Sequence, residues 1–462
     1  MKETLSAYLS ALKGKRVAVL GAGVSNTPLI DLLLDAGVAV TVRDGGDMAG
    51  FDGDRLEHWR EKGAKLRFGS GYLEELTEEV IFRTPGLMPH HPALAAAVER
   101  GARLTSEMEA FFHLCPAPII AVTGSDGKTT TTTIIAGLLR AAGKRVFLGG
   151  NIGTPLLSKV GEMTADDRVV LELSSFQLMT MQESPQRAVV TNLSPNHLDK
   201  HKDMAEYIGA KKNIFLHQAP SDRVVLNWDN DLTRALAAEA PGQVTFFSRQ
   251  TPLEQGVWLR DGSILRNGTA VLKTEDIAIP GNHNVENYMA AIAVVDGLVP
   301  DPVIQSFARS FQGVEHRIEW VRTVNGVRYY NDSIASSPSR TIAGLRSFDK
   351  KVILIAGGYD KHIPFDVLGP EIIKHVKELY LTGDTTQKIR AAVEQAAGYV
   401  PEALPIRETD DLAQAVEQAY KSAQPGDVVL MSPACASFDR FKNFMERGNA
   451  FKALVGQLEE RK

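Results

Sequence analysis

Three times along the chain an unbroken apolar run ends at a glycine turn and gives way to a helical pattern. The runs are Val17-Ala-Val-Leu20 before Gly21-Ala22-Gly23, Ile119-Ile-Ala-Val122 before Thr123-Gly124, and Val352-Ile-Leu-Ile-Ala356 before Gly357-Gly358. Continuous apolar strands are expected in parallel sheets covered on both faces. Strands alternating with helical stretches predict βαβ units. After the first run, Leu29, Ile30, Leu32 and Leu33 mark a helix, and a strand over 38–42 leads to Asp44. Between 241 and 280 the rhythm changes. Short apolar stretches broken by Asp261-Gly262 and Asn267-Gly268 predict β-hairpins.

The pattern also divides the chain. Cys115-Pro116-Ala117-Pro118 reads as a boundary, and a further unit begins near Val314. The predicted fold is therefore α/β with three domains. A Rossmann-like domain occupies 1–116. A central P-loop domain, with a mainly parallel sheet and a small β-rich part, occupies 117–313. A Rossmann-like C-terminal domain occupies 314–462.

Composition narrows the function classes. With 23% charged and 44% hydrophobic residues the chain has an ordinary globular mix, which excludes a wholly disordered or collagenous protein. The balance of 51 Lys and Arg against 56 Asp and Glu gives −5, too mildly acidic for a protein built around a nucleic-acid groove. The two cysteines, Cys115 and Cys435, form neither a disulfide framework nor a thiolate zinc site. Met1 to Lys15 lacks a secretory core, and no apolar run reaches the length of a membrane span. A soluble, cytoplasmic protein without membrane insertion is expected, and a monomer.

Thr123-Gly124-Ser125-Asp126-Gly127-Lys128-Thr129-Thr130 carries the clearest chemistry. A strand feeds it and a helix (Ile134, Ile135, Leu138, Leu139) follows, so unpaired N–H groups at a helix start can meet phosphate. Lys128 would face the β/γ-phosphates, and the Thr129 hydroxyl would ligate Mg²⁺. Val122 replaces the first glycine of the usual phosphate-loop pattern, which makes this a tighter variant. Gly21-Ala-Gly23-Val-Ser-Asn26 is one glycine short of a dinucleotide fingerprint, and Asp44 stands where a ribose-binding acid belongs. The turn reads as a site for a nucleotide-like ligand, or else as a bare crossover.

Glu172 ends the run Arg168-Val-Val-Leu-Glu172, placed either to hold Mg²⁺ or as a solvated strand-end acid. His197 and His201 have zinc-ligand spacing only if their segment is helical, and Asp199 is the one other ligand nearby. His201 reads instead as a surface or capping residue. Lys211 and Lys212 read as a solvated helix face. In the last third, Asn331-Asp332-Ser333, Gly357-Gly358-Tyr359-Asp360-Lys361 and Ser432 to Asp439 all fall at strand ends, the ligand edge of an open α/β sheet. Cys435 has no positioned histidine close in sequence to make it a nucleophile.

In this order the motifs resemble the Mur ligases over nearly the whole chain. The resemblance is carried by the phosphate loop, Gly149-Gly150-Asn151-Ile152-Gly153, Leu171-Glu172-Leu173-Ser174-Ser175-Phe176, Asn196-His197-Leu198-Asp199, and Ala210-Lys211. It continues through Gly281-Asn282-His283-Asn284 with Asn287, His316-Arg317, Asn331-Asp332-Ser333, and Ser432-Pro433-Ala434-Cys435-Ala436-Ser437 with Phe441-Lys442-Asn443-Phe444. That last stretch is similar to the branch that adds D-glutamate.

The resemblance implies an ATP-dependent amide ligase of peptidoglycan synthesis. It would join D-glutamate to UDP-N-acetylmuramoyl-L-alanine through an acyl phosphate, with ATP and two Mg²⁺. It assigns substrate contacts to Gly23, Asp44, Thr84 and Asn151, and the D-glutamate position to Lys361, Ser437 and Phe444. ATP falls to Gly124, Ser125, Asp126, Gly127, Lys128, Thr129, Thr130, Asn284, Asn287, Arg317 and Asp332. Thr129, Glu172, His197 and Lys211 would serve the metals, Lys211 as a carbamylated lysine. Lys128, Glu172, His197 and Lys211 form the implied catalytic set.

One position departs from the family. Many members read Asp-Ser-Lys-Ala-Thr-Asn where this chain has Asp332-Ser333-Ile334-Ala335-Ser336-Ser337, so Ile334 removes a cation for which Arg340 could substitute. The rival readings are another ligase of the superfamily such as a folylpolyglutamate synthase, a nicotinamide-dependent dehydrogenase, and a non-catalytic P-loop module. The broken fingerprint at Asn26 counts against the dehydrogenase. The set Glu172, His197 and Lys211 counts against a mere binding module.

Overall fold

A computed structural model describes residues 3–198, 200–361 and 363–460. The chain divides into two compact units. One comprises Met1–Thr274 with Val285–Phe307, and the other Glu275–Asn284 with Ala308–Lys462.

The first unit holds two sheets. In the smaller, five parallel strands run in the spatial order Lys65–Phe68, Ala39–Asp44, Arg16–Leu20, Val80–Phe82 and Arg103–Thr105. The order reverses beside Arg16–Leu20, so its C-terminal end opens at a topological switch point, where such sheets bind ligands. The larger sheet has nine strands. Its parallel centre places Ile119–Thr123 between Arg187–Val190 and Arg168–Glu172, with Val146–Gly150 at one edge. All five residues of Ile119–Thr123 are buried, as a strand covered on both faces requires.

The segment read as hairpins divides differently. Gln243–Ser248 continues the parallel sheet beside Arg223–Asn227, and Val257–Arg260 pairs parallel to it. Only then do two hairpins follow, turning at Asp261-Gly262 and Asn267-Gly268. All four turn residues have positive φ, which gives the tight turn whose twist matches the strands. The β-rich part is therefore an extension of the central sheet.

The second unit has one six-stranded sheet. Val327–Asn331, Val428–Met431, Val352–Ala356, Val376–Leu381 and Ile406–Glu408 are parallel neighbours, and Glu319–Val324 pairs antiparallel at the edge. Three adjacent strands thus end at Asn331, Met431 and Ala356, and the loops singled out in the sequence leave from one edge. Among the described residues no helix is long and apolar enough to cross a membrane.

Candidate active site

The first glycine turn is braced from two sides. Asn26, which stands in place of the third glycine, is buried, and its Nδ2 donates to the carbonyls of Leu20 and Gly21 at 3.0 and 3.1 Å. The Asp44 carboxylate accepts from Ala22 N and from Gly46 N, both at 2.7 Å. Gly21 has φ +90°, and a Cβ there would lie 3.0 Å from Thr84 Cβ. The fold therefore gathers Gly21 to Gly23, Asp44 and Thr84 at the switch point. Behind them Arg43 and Glu78 form a buried ion pair at 3.0 Å, with Arg43 also donating to the carbonyls of Tyr72, Glu74 and Glu75.

The phosphate loop joins Ile119–Thr123 to the helix Lys128–Ala141, which starts at Gly127 with no side-chain cap. Gly127 is left-handed at φ +76°, and a Cβ there would meet Asn287 Oδ1 at 2.5 Å. Asn287 Oδ1 in turn accepts from Thr131 Oγ1 at 3.1 Å. The Lys128 ammonium curls back onto the carbonyls of Gly124 and Ser125 at 3.1 and 3.0 Å.

Part of the loop is engaged with the neighbouring strand end. Ser125 N donates to the Asn192 carbonyl and Asp126 N to Asn192 Oδ1, each at 2.9 Å. Ser125 Oγ donates to the Ser194 carbonyl at 3.0 Å and meets the Tyr207 hydroxyl at 3.0 Å. The N–H groups of Thr129 and Thr130, in the helix's first turn, have no intrahelical acceptor and are suited to an anion.

Glu172 is buried rather than solvated. Its Oε1 accepts from Asn151 Nδ2 at 2.8 Å, while Oε2 has no hydrogen-bond partner among the described residues. A buried carboxylate oxygen without a donor suits a hard cation. Asn151 follows the strand Val146–Gly150, which approaches its neighbour so closely that a Cβ on Gly150 would meet the Glu172 carbonyl at 2.1 Å.

Two readings of the sequence are corrected here. Lys211 is not a solvated helix-face residue. It is 2% exposed, and its Nζ donates to the Gly124 carbonyl at 2.8 Å and Thr123 Oγ1 at 3.1 Å. Burial, then the neighbouring Lys128 cation, hold its amine well below the usual lysine range, against the opposing pull of Glu172 and Asp126. Its neighbour Lys212 pairs with Glu239 at 2.6 Å. Residues 204–212 form a helix, so successive side chains diverge by about 100° and one lysine can turn in while the next turns out.

His201 is not a surface residue either. It is buried, with Nε2 at 2.9 Å from Ser175 Oγ and Nδ1 at 3.2 Å from Glu206, and it stacks on Phe176 with ring centroids 5.0 Å apart. His197 is exposed, packs edge-on against Phe176 at 5.2 Å, and has φ +54°. Lys200 N and His201 N both donate to the His197 carbonyl, at 3.0 and 2.9 Å, so His197 opens a turn, and the spacing does not place the two rings on one helix face. Asp199 lies outside the described residues. Among the described residues no group of three His, Cys, Asp or Glu could by itself hold a metal.

In the second unit the strand-end loops are knitted together. Gly357 N donates to the Pro433 carbonyl at 2.8 Å and Tyr359 N to the Ala436 carbonyl at 3.0 Å, so the loops carrying Lys361 and Ser437 run side by side. Lys361 is exposed and Ser437 buried. Phe444 begins the helix Phe444–Gly456, and its carbonyl accepts from Ser333 Oγ at 2.7 Å. Arg447, one turn on, is buried and donates to Ser333 and to the carbonyls of Cys435 and Ala436. Asp332 is buried, accepting from Ser432 Oγ at 2.7 Å and Ile318 N at 3.2 Å, and burial pushes its carboxyl up to about 7. Asn284 and Arg317 belong to this unit too, whereas Asn287 belongs to the first. Cys435 lies against Thr385 Oγ1 at 3.0 Å, and burial pushes its thiol up to about 12, so it is no nucleophile near neutral pH.

Sequence reasoning missed Asn192, Tyr207 and Arg447. Asn192 could have been found, since it lies just past the end of a strand next to the phosphate-loop strand. Tyr207 and Arg447 sit on helices, and only tertiary packing shows where they point.

The comparisons agree with this geometry. Residues 122–295 match the Mur ligase middle domain and residues 316–435 the Mur ligase glutamate ligase domain. The chain is 54% identical to the UDP-N-acetylmuramoylalanine–D-glutamate ligase of Acetivibrio thermocellus, and 49% identical to that of Clostridium novyi. In both cases 99% of this chain and 100% of the relative are covered. The fold is similar to the crystal structure of the UDP-N-acetylmuramate–alanine ligase of Thermotoga maritima, with a TM-score of 0.59 and 18% identity over 96% of this chain and 99% of that one. Phosphate loop, strand-end carboxylate and knitted C-terminal loops thus occur in a chain that belongs to the Mur ligase family, in its branch of UDP-N-acetylmuramoylalanine–D-glutamate ligases.

Proposed function

We propose that the protein forms the amide between UDP-N-acetylmuramoyl-L-alanine and D-glutamate, using ATP, in peptidoglycan synthesis. Mur ligases are ATP-dependent, and full-length relatives at about half identity carry this activity in their names. The observation that carries the reading is the arrangement of Lys128, Glu172 and Lys211 around one phosphate loop.

In this reading the three sheets are three domains, 1–116, 117–313 and 314–462, each with a ligand, and segment 275–284 goes with the last. Gly23, Asp44, Thr84 and Asn151 hold the UDP-sugar. Gly124 to Thr130 with Asn287 hold ATP, completed by Asn284, Arg317 and Asp332. Lys361, Ser437 and Phe444 hold D-glutamate. The alanyl carboxylate attacks the γ-phosphorus, ADP leaves, and the amine of D-glutamate attacks the acyl phosphate, releasing phosphate and a proton. Lys128 and the first-turn N–H groups bear the charge that develops on the phosphoryl oxygens.

Mg²⁺, in two sites, would supply positive charge against the phosphate oxygens. Thr129 and Glu172 fit the first ion by their oxygen donors, and His197 and Lys211 are assigned to the second. A neutral Lys211 amine can add CO₂, losing one proton to give a carbamate. That change puts an anion beside Lys128, in place of an amine whose charged form Lys128 disfavours. The protein would act as a cytoplasmic monomer, with no nucleic-acid partner and no membrane insertion.

The test is phosphate release from ATP with UDP-N-acetylmuramoyl-L-alanine, with and without D-glutamate. Release is expected only with the D-isomer. Release indifferent to D-glutamate, or supported by another amino acid instead, would assign the chain to a different amide ligase. Carbon-13 NMR after labelled bicarbonate should show a carbamate signal that Lys211→Arg lacks.

A further inference from the structure

Arg83 closes the strand Val80–Phe82 and is 1% exposed. A buried guanidinium is normally matched by a carboxylate hydrogen-bonded to it. The bonds recorded for Arg83 go instead to carbonyls and one hydroxyl. Its Nη1 donates to the carbonyls of Leu87 at 2.8 Å, Pro85 at 3.2 Å and Thr84 at 3.4 Å. Its Nη2 donates to the Phe176 carbonyl at 2.9 Å and to Thr180 Oγ1 at 3.3 Å. The Glu109 carboxylate favours the charged guanidinium, and Thr180 links the two, its Oγ1 donating to Glu109 at 3.3 Å.

The two arms of the fork reach two different pieces of machinery. One arm organises the turn that begins at Thr84, the residue lodged against Gly21 at the nucleotide-sugar edge of the small sheet. The other holds the helix Ser175–Leu178, which starts three residues after Glu172. That helix presents Phe176 to His201 and His197, and Ser175 to His201. Both pieces lie in the same compact unit. A planar guanidinium fixes distance and direction for both arms at once, which a lysine cannot do.

We propose that Arg83 is a positioning residue for the ligation. It sets the span between the loop that receives the UDP-linked substrate and the elements that carry Glu172 and His197, and so sets the register of the alanyl carboxylate against the phosphate to be transferred. The inference rests on the ligase reading. Arg83 touches no reacting atom and acts through the Thr84–Leu87 turn and Phe176. A small displacement between reacting groups is costly to rate, which gives such a spacer kinetic weight.

The test compares wild type with Arg83→Lys, Arg83→Gln and Thr180→Val. It reads kcat and the KM of each of the three substrates, together with the melting temperature. Arg83→Lys is expected to raise KM for UDP-N-acetylmuramoyl-L-alanine and lower kcat, each roughly tenfold, with KM for ATP within about twofold. Arg83→Gln should be worse, and Thr180→Val milder in the same direction. A lower melting temperature with unchanged kinetic constants, or a parallel rise of all three KM values, would overturn the proposal. Should the Arg83 variants not fold, an unchanged KM for the UDP substrate in Thr180→Val overturns it equally. Wild-type turnover indifferent to D-glutamate would instead count against the ligase reading. In that case UDP binding by calorimetry still tests Arg83, with weaker binding expected in Arg83→Lys and equal binding overturning the role.

Discussion

Asn151 grips Glu172 twice, through Nδ2 to Oε1 at 2.8 Å and through its backbone N to the Glu172 carbonyl at 2.7 Å. One oxygen of the carboxylate is thereby committed to an amide, and the other has no hydrogen-bond partner among the described residues. Asn151→Ala should let the carboxylate rotate and raise the Mg²⁺ concentration needed for half-maximal rate. The expected change is roughly tenfold, as for loss of a group that orients a metal ligand. A magnesium titration of the steady-state rate checks it, and an unchanged midpoint would assign Asn151 to the sugar substrate alone.

Gly127→Ala puts a methyl 2.5 Å from Asn287 Oδ1 on a backbone at φ +76°. The left-handed backbone alone costs about 1–2 kcal/mol for a residue with Cβ. KM for ATP should rise at least about tenfold as Asn287 is pushed aside. Asn287→Ala in the same background should recover part of the lost stability, measured by chemical denaturation.

Glu107 gives a pH prediction. It is buried and accepts from Leu157 N at 2.9 Å, and burial pushes its carboxyl up from 4.5 to about 7. The folded pKa lies above the unfolded one. Its contribution is therefore fully present below about pH 4.5 and is lost as pH rises through about 7. Glu107→Gln should flatten stability against pH in that window by up to about 3 kcal/mol, since each pKa unit is worth about 1.4 kcal/mol. Urea melts of the two proteins at pH 5 and pH 8 measure the difference.

Arg340 donates from Nη1 to the Ile334 carbonyl at 3.2 Å, from the first turn of the helix Pro338–Leu345. A cation therefore stands beside the position where related chains carry lysine. Arg340→Ala should slow ligation about tenfold or more, as for loss of a charge-stabilising donor. Ile334→Lys added to it should restore much of the rate. Unchanged kinetics in the single variant would remove Arg340 from the reaction.

The three strand–glycine–helix starts were legible because a buried parallel strand needs an unbroken apolar run, and the turn after it needs glycine. Lys211 and His201 were misread for one shared reason. Each is a polar residue in a polar stretch, and burial of such a residue is decided by partners far along the chain: Gly124 for Lys211, and Ser175 for His201. Arg83 was visible as a letter after an apolar strand. Its meaning required Phe176 and Thr180, more than ninety positions away. The 243–248 strand shows the converse limit, since its composition suits either hairpin or parallel pairing and only its neighbour decides.

The segment 275–284 belongs to the second compact unit although it runs into the helix Asn282–Val294, most of which belongs to the first. Within that unit Ala278 N donates to the Ala308 carbonyl, Asp276 pairs with Arg309 at 3.0 Å, and Ile279 is buried. The chain therefore enters the unit, leaves it and enters again. A gene truncated to begin at 314 would encode a piece that has lost this strap. A limited digest that cuts near 298, between the chain's two passes into the unit, should leave the strap bound through Ala308 and Arg309 to the C-terminal fragment after the peptide bond is gone.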